Sequence, residues 1–373
     1  MPVRIAIASP SENAWSETFI AAHIQGLEGV ELVLVDGSLP SRIANGPLLL
    51  DQSAMGRFLY LLRTRFFGAD PQDLRRRRIA RLLRRKRIDV LLAEYGHAAE
   101  ALLGPCQKAG VPIVAHFHGF DAHRADHIER MGGYARTFKH AAALVVVSRA
   151  MEQRLLALGA PREKLFYNCY GIDAARFSSG DPAAVPPHFV AVGRFVDKKA
   201  PHLTLAAFER VAAKVPDARL TMVGQGPLWE SCAQMVQAKG LGQRVDLCGV
   251  KGPEEVAALM RGARAFVQHS VRALNGDSEG TPLAVLEAMA TGIPVVATRH
   301  TGIADVVEHG AHGLLCDELD VGTMAAHMEL LANDGELAAR MGRSGRASME
   351  QHHGVKDSVG RLQAILANAA RTS

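Results

Sequence analysis

Short apolar runs alternate with longer amphipathic ones almost throughout the sequence. Residues 3–8, 30–35, 88–93, 112–117 and 142–147 read as strands, and 17–27, 98–109 and 128–138 as helices between them. Continuously apolar strands separated by helices predict a parallel sheet covered on both faces. The pattern pauses at 178–188, a stretch rich in Pro, Ser and Gly with the composition of a linker. It then restarts. Strands are predicted at 188–192, 219–223, 244–247, 265–268 and 294–297, with helices at 203–214, 253–260 and 282–291. The expected class is therefore α/β, with two Rossmann-like, doubly wound parallel-sheet domains at 1–180 and 181–355. A final helix within 356–373 has an apolar face that either half can receive, and its return to the first domain is part of the expectation. Ligands of such sheets bind outside the carboxyl ends of the strands, so two sets of loops are expected to face each other across a cleft.

Composition changes this picture little. The 373 residues suit two domains, each with a real core. Cys106, Cys169, Cys232, Cys248 and Cys316 are odd in number and widely spaced, with no CxxC pair. They indicate neither a zinc knuckle nor a disulfide framework, and reduced thiols in the cytoplasm are the simplest reading. The sequence opens on a strand without a basic leader, and no run of about 18 apolar residues occurs, so neither a signal peptide nor a membrane span is expected.

Charge is more informative. The formal net charge is +5, and much of the excess sits in 73–87, DLRRRRIARLLRRKR. On a helix, Arg75, Ile79, Leu82 and Leu83 share a face, while Arg76, Arg77, Arg84 and Arg85 lie elsewhere. A narrow apolar stripe in a cationic helix suits an anionic membrane surface. An exposed basic helix in solution is the competing reading. Nucleic acid is not expected, because no aromatic platform interleaves the arginines.

Three loops at predicted strand ends carry candidate chemistry. Gly193-Arg194-Phe195-Val196-Asp197-Lys198-Lys199 offers a glycine turn and two cations, Arg194 and Lys199, as a diphosphate requires. A solvated basic loop would look the same. Val223-Gly224-Gln225-Gly226-Pro227 suits a tight turn, and is not a complete GxGxxG. The third segment, 275–289, combines Thr281 as N-cap, Pro282 at the first helical position, and amides from Gly280 through Leu283 to Ala284 facing an anion. Glu279 and Glu287 flank that helix start. They are placed to accept from sugar hydroxyls rather than to pair with phosphate.

These segments resemble the retaining glycosyltransferases of family 4, which have the GT-B fold. The resemblance rests on Glu279 and Glu287 in EGTPLAVLEAMATGIPVVAT, on Gly193, Arg194 and Lys199 in GRFVDKKA, on HGFD at His118 to Asp121, and on NCYGID from Asn168. It implies that Arg194 and Lys199 hold the donor diphosphate as a leaving group, that Glu287 accepts from the ribose and that Glu279 holds the donor sugar. Gly193, Gly224, Gly226, Gly280, Thr281, Pro282 and Leu283 would line the donor site. Gly249 and Val250 would meet the base through backbone groups. His118 would reach the sugar from the other domain. No cofactor and no metal are expected, since cations and helix amides do the neutralising.

The first loop departs from the family pattern. It has no paired glycines, and its SETFI stretch resembles enzymes of bacterial exopolysaccharide assembly, such as the colanic-acid type. Glu17 in that stretch, with Glu94, His97 and Asp121, is assigned to the acceptor side. A capping Glu and a surface His are equally good accounts of Glu94 and His97. His116 alternates with His118, so one of the two is expected to face the core. The expected function is metal-independent, retaining transfer of a hexose from a UDP or GDP donor to a lipid-linked saccharide in surface polysaccharide synthesis. The expected place is the cytoplasm, peripherally on the inner face of the membrane. A sugar-nucleotide epimerase or phosphorylase of the same fold, and a nucleotide-sugar sensor without turnover, are the rivals. A dinucleotide dehydrogenase is not expected, because neither half opens with GxGxxG after its first strand.

Overall fold

The computed structural model describes residues 3–12, 18–50 and 70–371. The chain divides into two compact units. The first holds Met1–Val147, Met151–Cys169 and Lys356–Ser373, and the second Ser148–Ala150 and Tyr170–Val355.

The first unit is built on β1 (Ile5–Ala8), β2 (Val30–Val35), β3 (Arg42–Ile43), β4 (Val90–Glu94), β5 (Ile113–Phe117), β6 (Ala143–Val146) and β7 (Leu165–Tyr167), in the order β3-β2-β1-β4-β5-β6-β7. All neighbours are parallel except β2 and β3. Every residue of β1, β4, β5 and β6 is buried. Helices covering both faces explain why these strands carry apolar side chains at nearly every position, with Glu94 and His116 as the exceptions. Strand order reverses between β1 and β4, which sets the crevice of this sheet at their carboxyl ends. The last helix, Val355–Arg371, ties into this unit: Ser358 Oγ donates to the Cys169 carbonyl at 2.8 Å, and Arg361 Nε to Asn168 Oδ1 at 2.9 Å.

The second unit contains β8 (His188–Val192), β9 (Arg219–Val223), β10 (Val245–Leu247), β11 (Ala265–Gln268), β12 (Val295–Thr298) and β13 (Gly313–Cys316). Their order is β10-β9-β8-β11-β12-β13, parallel throughout. Phe189, Phe208, Leu220, Val267, Val296 and Met328 lie in one core against the helices. Here the order reverses between β8 and β11.

Two expectations need correction. The helix expected over 128–138 is broken into Ala125–Arg130, a short turn at Gly132–Tyr134, and Ala135–His140. Gly132 and Gly133 adopt φ of 60° and 63°, a left-handed conformation that ends a helix. The basic helix, Pro71–Arg85, is present, but Ile79, Ala80, Leu82 and Leu83 are buried. That stripe packs on the helix Gly96–Ala109 and is not free to enter a bilayer. Arg77, Arg78, Arg81, Arg84 and Arg85 remain exposed, while Arg76 is half-buried and donates to Asp73 at 2.9 Å. Among the described residues, no helix is long and apolar enough to cross a membrane.

Candidate functional site

The second unit places its site loops on either side of the β8/β11 switch point. The loop after β8 runs from Gly193 to Lys199, and the loop after β11 from His269 to Glu279. Gly193 is required by its neighbour: a Cβ there would lie 2.6 Å from Lys199 Cδ. Its absence lets the lysine stem cross the turn. Gly224, at φ 130°, is packed so closely that a Cβ would meet the Gly193 carbonyl. The glycines of the β9 loop therefore serve the contact between two loops. Gly224 N–H also donates to the Gly249 carbonyl at 2.7 Å, which brings the β10 loop alongside, with Val250 exposed.

Lys199 Nζ lies 3.4 Å from Glu279 Oε2 and 3.3 Å from Gln268 Oε1. Glu279 is 7% exposed, and its other oxygen, Oε1, has no hydrogen-bond partner among the described residues. A buried carboxylate oxygen left open is costly unless a ligand donates to it. Burial alone would raise this carboxyl's pKa. Lys199, Lys198 and Arg194 outweigh it and hold the group at about 2. Burial lowers the pKa of Lys199, with Lys198 and Arg194 adding to the effect against Glu279. Glu287 differs: burial raises its pKa, and Arg176 and Lys199 only partly oppose this. Arg194 is exposed beside this cluster.

The helix after Glu279 is Leu283–Ala290, and Pro282 is its N-cap. The helix thus starts one position later than the sequence suggests, with Thr281 before the cap rather than on it. The first amides of a helix lack partners within it, so Leu283 and Ala284 present donors beside Glu279.

In the first unit, Glu94 ends β4 and is fully buried. His23 Nδ1 lies 2.7 Å from its Oε1, while His116 Nδ1 and His118 Nε2 lie 3.1 and 3.0 Å from its Oε2. Both His116 and His118 are buried, so the expectation that one of them alone faces the core is not met; residues two apart along a strand end share a face. The chain turns just after β5, and both rings converge on one carboxylate. Burial drives the His118 pKa down to about 3, helped by His116 and opposed by Glu94, so the ring is neutral. His23, Glu94 and His116 are spaced as a metal site could be, and the carboxylate is also within hydrogen-bonding distance of His23 Nδ1 and His118 Nε2. Asp121 is also fully buried, accepting from the amides of Gly96 at 2.7 Å and His118 at 2.8 Å. It fixes the two loops that carry the site. His97 is half-buried between Tyr95, Phe120 and His127, and burial takes its pKa down to about 4. Glu17 lies outside the described residues.

Each unit therefore gathers its own sequence-predicted residues: Gly193, Arg194, Lys199, Gly224 and Glu279 in one, and Glu94, His97, His118 and Asp121 in the other. Sequence reasoning missed Lys198, His300 and Glu318. Lys198 is buried and donates to Asp277 Oδ1 and the Ser278 carbonyl, each at 3.1 Å. Its only sequence signal was its place beside Lys199.

The chain is a doubled, doubly wound α/β protein whose second switch point gathers cations and helix amides around a carboxylate with one open oxygen. The chain matches two family descriptions end to end, Glycosyltransferase Family 4 over residues 28–176 and Glycosyl transferases group 1 over 177–348. It is 30% identical to the amylovoran biosynthesis glycosyltransferase AmsK of Erwinia amylovora, over 76% of this chain and 70% of that protein. It belongs to this glycosyltransferase family. It is also 31% identical to the putative colanic acid biosynthesis glycosyltransferase WcaL of Escherichia coli, over 65% of this chain and 61% of that relative's length. The fold is shared with Anabaena HepE, solved with UDP and glucose, at TM-score 0.77 and 17% identity over 98% of this chain and all of that one. Sucrose-phosphate synthase from Thermosynechococcus elongatus gives 0.73 at 18% identity over the whole of both chains. The architecture is GT-B.

Proposed function

We propose that the protein transfers a hexose from a UDP- or GDP-linked donor to a lipid-linked saccharide acceptor during bacterial surface polysaccharide assembly, with retention and without a metal. The observation that carries this reading is the open Glu279 Oε1 beside Lys199. A sugar hydroxyl donates to that oxygen, while Lys199, Arg194 and the amides of Leu283 and Ala284 take the diphosphate. Charge that builds on the departing phosphate meets fixed cations, which lowers the barrier without a nucleophile from the protein. Glu287, kept closer to its protonated form, serves the ribose. In the first unit, Glu94 and Asp121 support the acceptor-side loops, and neutral His118 acts as a hydrogen-bonding group rather than a cation.

Relatives named for amylovoran and colanic acid synthesis support the pathway class, and the UDP and glucose held by HepE support the donor class. No observation favours an epimerase or a sensor. The exposed arginines of Pro71–Arg85 adsorb to an anionic membrane surface by charge alone. The decisive experiment assays Glu279→Gln and Lys199→Ala against UDP-, GDP- and ADP-hexoses, reading release of nucleoside diphosphate. Both variants are expected to lose most activity; full activity in both overturns the assignment.

A further inference from the structure

His300 follows β12, and Glu318 follows β13, both at carboxyl ends of the second sheet. His300 is 1% exposed. Its Nε2 accepts from the backbone N–H of Glu279 at 3.1 Å, and its Nδ1 lies 2.5 Å from Glu318 Oε1. A backbone amide can only donate, so Nε2 carries no proton and Nδ1–H donates to Glu318. Glu318 Oε2 is occupied as well, accepting from Arg272 N–H at 2.8 Å. One carboxylate therefore holds the start of the segment 272–279 directly, and its end through the imidazole.

The same short stretch holds the next peptide unit. Gly302 N–H donates to the Gly280 carbonyl at 3.0 Å. The chain is thus held at the Glu279 amide and again at the Gly280 carbonyl, one residue on. Lys198 pins Asp277 and Ser278 from the other side. These bonds hold the backbone on both sides of Glu279, whose carboxylate lies 3.4 Å from Lys199.

We infer that His300, oriented by Glu318, is a positioning residue for the donor site: it fixes the backbone of Glu279 so that the open carboxylate oxygen is aimed at the donor sugar. This rests on the reading of Glu279 as the sugar contact. The inference demands one acceptor atom at the place of Nε2. Glutamine puts its Oε1 near that place but loses the bond to Glu318. Asparagine puts an amide N–H near the place of Nδ1, keeping Glu318 and abandoning Glu279. The two substitutions are similarly conservative and cut opposite bonds.

The test compares His300→Gln, His300→Asn and Glu279→Gln in the full chain. Hydrogen exchange of the Glu279 amide should quicken in His300→Asn and stay near wild type in His300→Gln. With the UDP- or GDP-hexose that the wild type uses, kcat/KM should fall about 10- to 100-fold in His300→Asn, the size expected for a displaced catalytic contact, and stay within about threefold in His300→Gln. Melting temperatures of the two should match. Exchange that is unchanged in His300→Asn, or a Gln variant as impaired as the Asn variant, overturns the inference. If Glu279→Gln is fully active, the donor-site reading itself fails and takes the inference with it. If Glu279→Gln is dead while His300→Asn equals wild type, the inference alone fails.

Discussion

Replacing Lys199 with Met keeps the stem that crosses Gly193 and removes the charge beside Glu279. The consequence can be worked from the carboxylate. Glu279 is held at about 2 against an ordinary 4.5. At about 1.4 kcal/mol per pKa unit, that difference represents about 3 kcal/mol of folding free energy, an order-of-magnitude figure. The sign follows from the direction. A depressed carboxyl binds fewer protons folded than unfolded, so its contribution is complete above 4.5 and is lost as pH falls towards 2. Lys199 is the largest of the charges holding the group down, ahead of Lys198 and Arg194. In Lys199→Met the depression shrinks, and stability should fall less steeply with acid. Urea unfolding between pH 6 and 3.5 measures this. The variant is expected to be less stable at pH 6 by about 1–3 kcal/mol, with the gap closing as pH falls. Parallel curves would refute the pairing, because a penalty unrelated to Glu279 ionisation would not change over that window.

Two further outcomes are expected. Gly193→Ala should leave the fold intact but displace Lys199, since the new methyl would lie 2.6 Å from its Cδ; donor kcat/KM should fall at least about tenfold with little change in melting temperature. Changing Arg77, Arg78, Arg81, Arg84 and Arg85 to Gln should abolish sedimentation with phosphatidylserine vesicles, at about 1 kcal/mol per arginine, and leave binding to neutral phosphatidylcholine vesicles absent as before. Unchanged binding to the anionic vesicles would remove this helix from any membrane role.

Legibility from sequence tracks how local the cause is. β1, β4, β5 and β6 were readable because burial on both faces leaves an apolar residue at nearly every position, Glu94 and His116 excepted. The periodicity of Pro71–Arg85 was also readable, but periodicity gives a face and not its cover, and Gly96–Ala109 is 11 residues further on. The break at Gly132 and Gly133 was written in the chain and underweighted against an apolar repeat. The donor loops were legible because glycine, cation and carboxylate lie in short segments. His300 and Glu318 were not. Their link to Glu279 is set by the register of β11, β12 and β13, across 21 and then 18 residues, and no local pattern encodes it. The convergence of His23, His116 and His118 on Glu94 is of the same kind, spanning 71 residues at its widest.

The opposite responses of Lys199 and Glu279 say what the donor site lacks. A simple ion pair would favour both charged forms. Here the carboxylate is stabilised as an anion, while the lysine is destabilised as a cation despite lying 3.4 Å away. Burial is the main cause for the lysine, with Lys198 and Arg194 adding to it against Glu279, while on Glu279 the same cations outweigh burial. Arg194, Lys198 and Lys199 converge on Glu279, and Lys198 is already paired with Asp277 at 3.1 Å. A diphosphate would supply the missing negative charge where the helix amides of Leu283 and Ala284 add to the attraction. It would also restore Lys199 to a comfortable cation, without competing for the Glu279 oxygen that awaits a hydroxyl. Phosphate and sugar thus have separate claims on one cluster. On the proposed function, a donor carrying both is expected to bind more tightly than either half alone, because phosphate would meet the cations and a hydroxyl the open Glu279 oxygen.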